Sequence, residues 1–149
     1  MHISDLEKKL GYFFSDSSLL SLALTHKSFS SKNNERLEFI GDAVLGYVIA
    51  TDLYSRHMEL HEDALSLMRV ALVRGDMLSE VALEIGLSDH LLLGPGELKS
   101  GGRTRPSILA DALEAVIGAV HEDGGIEDCR NLIKNIFGTR LMDLEPENL

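Results

Sequence analysis

A chain of 149 residues, 44% hydrophobic and 26% charged, can bury one sizeable core and has the balance of a soluble globular domain. No apolar run approaches the roughly eighteen residues of a membrane span, and no basic, apolar leader opens the sequence, so neither a membrane helix nor a signal peptide is expected. The net charge of −10 excludes nucleic-acid binding through a broadly basic surface, unless bound cations or a basic neighbouring domain reverse the local field.

Taken in order, the chain gives helix signals and little β-branched alternation. Ser4 to Leu10 reads as a short amphipathic helix, followed by Gly11 and the aromatic cluster Tyr12, Phe13 and Phe14. Asp16 to Leu24 opens with capping residues and continues as a leucine-rich buried helix. THKSFSSKNN, from Thr25 to Asn34, is a polar connection. A central helix, NERLEFIGDAVLGYVIA, then runs to about Tyr54, with Asn34 as its expected cap and Glu35 in its first turn. His61 to Glu84 is helical, kinked or divided at Gly75. Leu91 to Pro106 holds four glycines and two prolines and reads as an irregular loop. Ser107 is expected to cap a second buried helix, ILADALEAVIGAVHED, which Gly124 and Gly125 end; a last amphipathic helix covers Ile126 to about Leu144. The expectation is one all-α domain of about seven helices. The single Cys129 excludes an internal disulfide framework and fits a reducing compartment, so the chain is read as cytoplasmic.

Two anomalies carry the chemistry. In the central helix Glu38 and Asp42 stand one turn apart on one face, on a stripe that turns apolar at Leu45 and Ile49. In the Ser107 helix Asp111 and Glu114 are three apart on one face of an otherwise apolar run. Buried like charges repel and are costly when unpaired, so something positive should compensate them. Ala110, Ala115 and Gly118 flank the second pair and would let another helix approach closely; Gly41, unfavourable inside a helix, fits close packing beside the first. If the two helices pack side by side, four carboxylates converge. All-oxygen ligation suits a hard cation, Mg²⁺ or Mn²⁺, and such a site can serve metal-assisted phosphodiester cleavage. A di-iron site would need Glu-x-x-His pairs, and no histidine lies three residues after a glutamate.

NERLEFIGDAVL, Asn34 to Leu45, resembles the signature of the ribonuclease III catalytic domain. The resemblance extends to THKS at Thr25 to Ser28, MRVALVRGDMLSEVA at Met68 to Ala82, LLLGPGELKSGG and SILADALEAVIGAV, in order along nearly the whole chain. It is nearest the bacterial class of that family. What the resemblance implies is an all-α, homodimeric, Mg²⁺-dependent endoribonuclease, with Mn²⁺ as substitute. It would cut double-stranded RNA to 5′-phosphate and 3′-hydroxyl ends in rRNA and mRNA processing, with no membrane association. The family's metal-binding acids fall on Glu38, Asp42, Asp111 and Glu114, with Asp42 and Glu114 foremost in chemistry and Glu35 and Glu62 behind them. Phe39 matches a position that inserts into the partner subunit; read from the residues alone it could equally be core. His26 is expected to tie its loop by hydrogen bonds. Lys99, Arg103 and Arg105, in a stretch without acids from Lys99 to Ala110, are candidate RNA phosphate contacts.

By the same resemblance, residues 1–145 form the catalytic domain and 146–149 begin a linker to a double-stranded-RNA-binding domain that this chain does not contain, as in an excised catalytic domain. Two other readings stay open: a non-cleaving dimeric RNA-binding or assembly module of the same fold, and a helical protein whose carboxylates hold metal only for stability.

Overall fold

The most apolar run of the sequence is the axis of the fold. The computed structural model describes residues 2–149; Met1, which opens the expected domain span, lies outside them. From Ile108 to Val120 every residue of the axial helix is buried except Asp111 and Glu114. Around it the described residues form α1 (Ile3–Leu10), α2 (Ser17–Ala23), α3 (Glu35–Arg56), α4 (Glu62–Val73), α5 (Gly75–Glu84), α6 (Pro95–Lys99), the axial α7 (Pro106–Gly124), α8 (Ile126–Phe137) and α9 (Thr139–Met142). Helices α3, α5, α2 and α8 pack directly on α7, and α4 packs on α3. Seven of the nine have seven or more residues, and no strand forms among the described residues, so the all-α expectation is met. None of the helices described is long and apolar enough to cross a membrane.

The contact of α3 with α7 is backbone against backbone. A Cβ on Gly41 would stand 1.7 Å from the Glu114 carbonyl oxygen, and one on Gly118 would stand 2.2 Å from the Leu37 carbonyl oxygen. Neither distance leaves room for a methyl group, so the two glycines set a crossing that no other residue permits. Each contact lies next to an acid: Gly41 beside Asp42 and under Glu114, Gly118 under Leu37 and so beside Glu38. The crossing fixes the register of the two acid pairs.

Several local expectations are corrected. Asn34 does not cap α3 with its side chain; it is buried, and its Nδ2 donates to the Ala23 carbonyl at 3.1 Å. The cap comes from Asn33, whose Oδ1 accepts the Glu35 amide at 3.0 Å. The division after α4 falls at Arg74, in an extended conformation, and Gly75 starts α5. Ser107 is not a cap either, because Pro106 takes the first position of α7 behind Arg105. The glycine-rich loop contains α6, opened by Pro95, and a 3₁₀ turn, Gly102–Thr104. Gly138, with φ 54°, breaks the last predicted helix into α8 and α9. One side of α3 is not buried: Phe39 is 80% exposed, and Tyr47 and Tyr54 follow it on the same side. Core packing is thereby excluded for Phe39 within the chain.

Alanine is the better helix former, yet Gly41→Ala should destabilise the fold by about 1–3 kcal/mol through overpacking against α7. Gly75→Ala, at an open position, should instead stabilise by up to about 1 kcal/mol. Paired urea denaturation curves check this; equal stability of Gly41→Ala and the parent would mean that α3 and α7 can part without cost.

Candidate active site

Three of the four acids expected to converge are brought together. One carboxylate oxygen each of Glu38, Asp111 and Glu114 lies within 4.8 Å of the other two. Asp42 completes the group by abutting Glu114: a protonated Glu114 carboxyl donates a hydrogen bond to Asp42, as a protonated Glu38 donates to Asp111. Glu38 and Glu114 are half-buried, while Asp42 and Asp111 are exposed, so the group faces solvent along the α3–α7 seam.

No basic side chain forms an ion pair with it. None of the ion pairs among the described residues includes any of the four acids. The electrostatic consequence is a set of reluctant acids. Burial, then the bond to Asp42 and the charges of Asp42, Glu38 and Asp111, push Glu114 up to about 8. Burial, then the charge and hydrogen bond of Asp111, and more weakly the charges of Glu35 and Asp42, raise Glu38 to about 7. Asp111 is also raised by burial, against the hydrogen bond from Glu38 and the positive charges of His26 and Lys27. Carboxylate oxygens of excess negative charge, in no ion pair with a basic side chain, are compatible with a bound metal cation.

The other expected residues divide. Glu35 stands exposed in the first turn of α3, near enough for its charge to raise Glu38. Glu62 is not brought to the carboxylate group within the chain. It accepts from Ser66 Oγ at 2.5 Å and lines a groove with Tyr54 and Arg69, about 18 Å along α3 from Asp42. Of the three loop bases, Arg103 donates to the Ser88 and Leu91 carbonyls, both at 3.0 Å, and Arg105 pairs with Glu97 and the Ser100 carbonyl. Both hold the loop together; Lys99 alone is exposed and outside any ion pair described. His26 does tie its loop, through Nδ1 to Ser28 Oγ at 2.7 Å. Sequence reasoning passed over Lys27, whose charge reaches Asp111; its signal was the THKS motif itself, immediately before the central helix.

An all-helical domain with a carboxylate group along the seam of its two longest helices is a recognisable class. Residues 16–141 match the family model described as Ribonuclease-III-like, and the chain belongs to that family. Ribonuclease 3 of Vibrio parahaemolyticus is 54% identical over 144 residues, 97% of this chain and 64% of that protein. Ribonuclease 3 of Coxiella burnetii is 49% identical over 143 residues, 96% of this chain and 61% of that protein. The chain thus spans less than two thirds of the length of these curated relatives. Among solved structures, the nuclease domain of ribonuclease III from Campylobacter jejuni superposes with a TM-score of 0.91 at 43% identity, covering 93% of this chain and 98% of that one. That structure concerns flexibility in a region involved in dimer formation. Dicer from Pichia stipitis, at 24% identity and a TM-score of 0.67 over 88% of this chain and 58% of that one, shares the fold.

The raised acids have a signed consequence for stability. Carboxyls whose folded values are about 7 and about 8 keep protons that the unfolded chain, titrating near the ordinary 4.5, has lost. Between those values the native state binds more protons, so stability falls as pH rises from about 4.5 to about 8. In chelator the melting temperature should decline across that window, and Glu114→Gln should flatten the decline and melt higher than the parent at the alkaline end. A pH-independent melting curve for the parent would contradict the assignment.

Proposed function

We propose that this chain is the cleaving domain of an endoribonuclease that acts on double-stranded RNA, binding Mg²⁺ through Glu38, Asp42, Asp111 and Glu114. The observation that carries the reading is the convergence of these carboxylates from two helices, within 4.8 Å for three of them, with no basic partner. The relatives named ribonuclease 3, and the family match over residues 16–141, support it. Processing of structured RNA such as rRNA and mRNA precursors, in the cytoplasm, follows from the same kinship. The single cysteine, buried and with its thiol pushed up to about 12 by that burial, suits a reducing compartment. The catalytic unit lies within residues 1–145.

A divalent cation, when bound, supplies a Lewis acid that lowers the pKa of water and offsets charge on the phosphate and the departing 3′ oxygen. The protein's part is to prepare its place. Glu38 and Glu114 give up their protons on ligation, which makes cation affinity rise with pH. Asp42 and Glu114, adjacent across the seam, are the two acids whose loss should cost the chemistry most. Partial burial of Glu38 and Glu114 between α3 and α7 strengthens the interactions that those two acids make. Cleavage leaves a 5′-phosphate and a 3′-hydroxyl.

The same reading makes the working unit a homodimer. Phe39, Tyr47 and Tyr54 expose aromatic surface along one side of α3, and Phe39 borders a hollow of about 640 Å³ lined also by Glu35, Arg36, Leu37, Ile40 and Glu122. A second copy would bury both, as isologous contacts do.

A long labelled RNA duplex at low salt should be cut with Mg²⁺ and not in chelator, and Asp42→Asn or Glu114→Gln should each slow cutting at least about 100-fold. Sedimentation of the same samples should show a dimer that Phe39→Asp splits. Binding without cutting, even with Mn²⁺ and excess enzyme, would replace this reading by the non-cleaving module.

A further inference from the structure

The connection between α2 and α3 carries THKS, and the chemistry above makes no use of it. Its backbone is held unusually firmly. Thr25 and Leu92 form an isolated parallel bridge, in which the His26 amide donates to the Leu92 carbonyl at 3.0 Å and the Leu92 amide to the Leu24 carbonyl at 2.9 Å. The Phe29 amide closes a turn onto the His26 carbonyl at 2.9 Å, which puts Lys27 at a central position of that turn. Ser28 Oγ accepts the Gly94 amide at 2.9 Å, and the Asn34 amide at the far end of the connection returns to the Thr25 carbonyl at 2.9 Å. The turn is therefore clamped to the strand-like segment at Leu92, to Gly94 and to the start of α3. The Lys27 side chain is left exposed and enters none of the ion pairs among the described residues.

An exposed lysine on a mobile loop is ordinary, but this one stands on a turn tied to Asn34, whose carbonyl accepts the amide of the acid Glu38 at 2.9 Å. The charges of Lys27 and His26 reach Asp111, whereas the charges that reach Glu38 and Glu114 are all negative. An RNA strand is a row of negative charges approaching a chain of net charge −10. A cation at the carboxylates offsets one phosphate there and leaves its neighbours unpaired. Arg103 and Arg105 are committed to their own loop, and the bases whose charge reaches Asp111 are His26, tied to Ser28, and Lys27, which is free.

We infer that Lys27 binds a backbone phosphate of the RNA strand lying at the carboxylate group, and so sets where that strand sits over the acids. This rests on the endoribonuclease reading and adds a substrate contact to it. The contact is electrostatic and indifferent to sequence, because a phosphate carries no base identity.

The test is binding of a labelled RNA duplex with Mg²⁺ as a function of salt, measured uncut on the Asp42→Asn background, beside cleavage by the parent. Lys27→Gln should weaken binding roughly tenfold and reduce the slope of log affinity against log salt by about 0.9. Lys27→Arg should keep both, and neither substitution should change the melting temperature. A slope equal to that of Lys27 protein overturns the inference, as does failure of arginine to restore it. A changed melting temperature or Mn²⁺ affinity with an unchanged slope would also overturn it, by making Lys27 a counter-ion of Asp111. If the parent cuts duplex normally and only the slope result fails, this inference falls alone; if the parent neither binds nor cuts, it falls with the reading beneath it.

Discussion

Everything at the carboxylate group depends on two helices touching without side chains between them. Gly41 lies against the Glu114 carbonyl and Gly118 against the Leu37 carbonyl, at distances that exclude a Cβ. These reciprocal contacts bring the axes of α3 and α7 close and lock their relative register. Because each glycine contact falls beside an acid, the same packing that completes the core forces Glu38 and Asp42 against Asp111 and Glu114. A larger side chain at either glycine would separate the carboxylates as surely as it would disturb the core.

The arrangement works against the stability of the chain itself. A core helix buried continuously from Ile108 to Val120, interrupted only by two acids, has given up apolar packing at those positions. The acids have no basic partner and relieve their repulsion by keeping protons, which is why Glu114 and Glu38 rise to about 8 and about 7, with burial as the first cause in each. Groups held this way cluster where chemistry is done, since a cation can replace the protons and recover the lost electrostatic energy. The surrounding structure is correspondingly firm. The turn bearing His26 and Lys27 is clamped by Leu92 and Gly94, and Arg103 and Arg105 brace the loop that leads into α7.

The carboxylate group was legible in the sequence because charge inside an apolar, helically periodic run is costly to bury and so marks a place where a cation or a reaction uses it. Glu38, Asp42, Asp111 and Glu114 stood out against their neighbours, and the small residues at Gly41 and Gly118 hinted that the two runs meet. Directions of side chains were not legible. Arg103 and Arg105 lay in a window without acids, yet Glu97, just outside it, and the Ser88 and Leu91 carbonyls claim them. Phe39 looks the same in sequence whether it fills a core or faces solvent; only the crossing with α7 decides which side of α3 is free. Helix ends were misread where two suitable residues competed, as Asn33 with Asn34, or where proline outranked serine, as Pro106 with Ser107. Short elements such as α6, five residues opened by Pro95, carry no periodicity to find.

The central claim is that the α3–α7 seam turns four acids into one cation site, and proton release on cation binding tests it most directly. Titration of Mn²⁺ by calorimetry in buffers of differing ionisation heat should show binding accompanied by proton release near pH 7, fading as pH approaches about 9, where Glu38 and Glu114 are already ionised. Both the binding and the release should be lost in a Glu38→Gln, Glu114→Gln double variant. Mn²⁺ binding that is equally tight in that variant, or that releases no proton at any pH, would contradict the account.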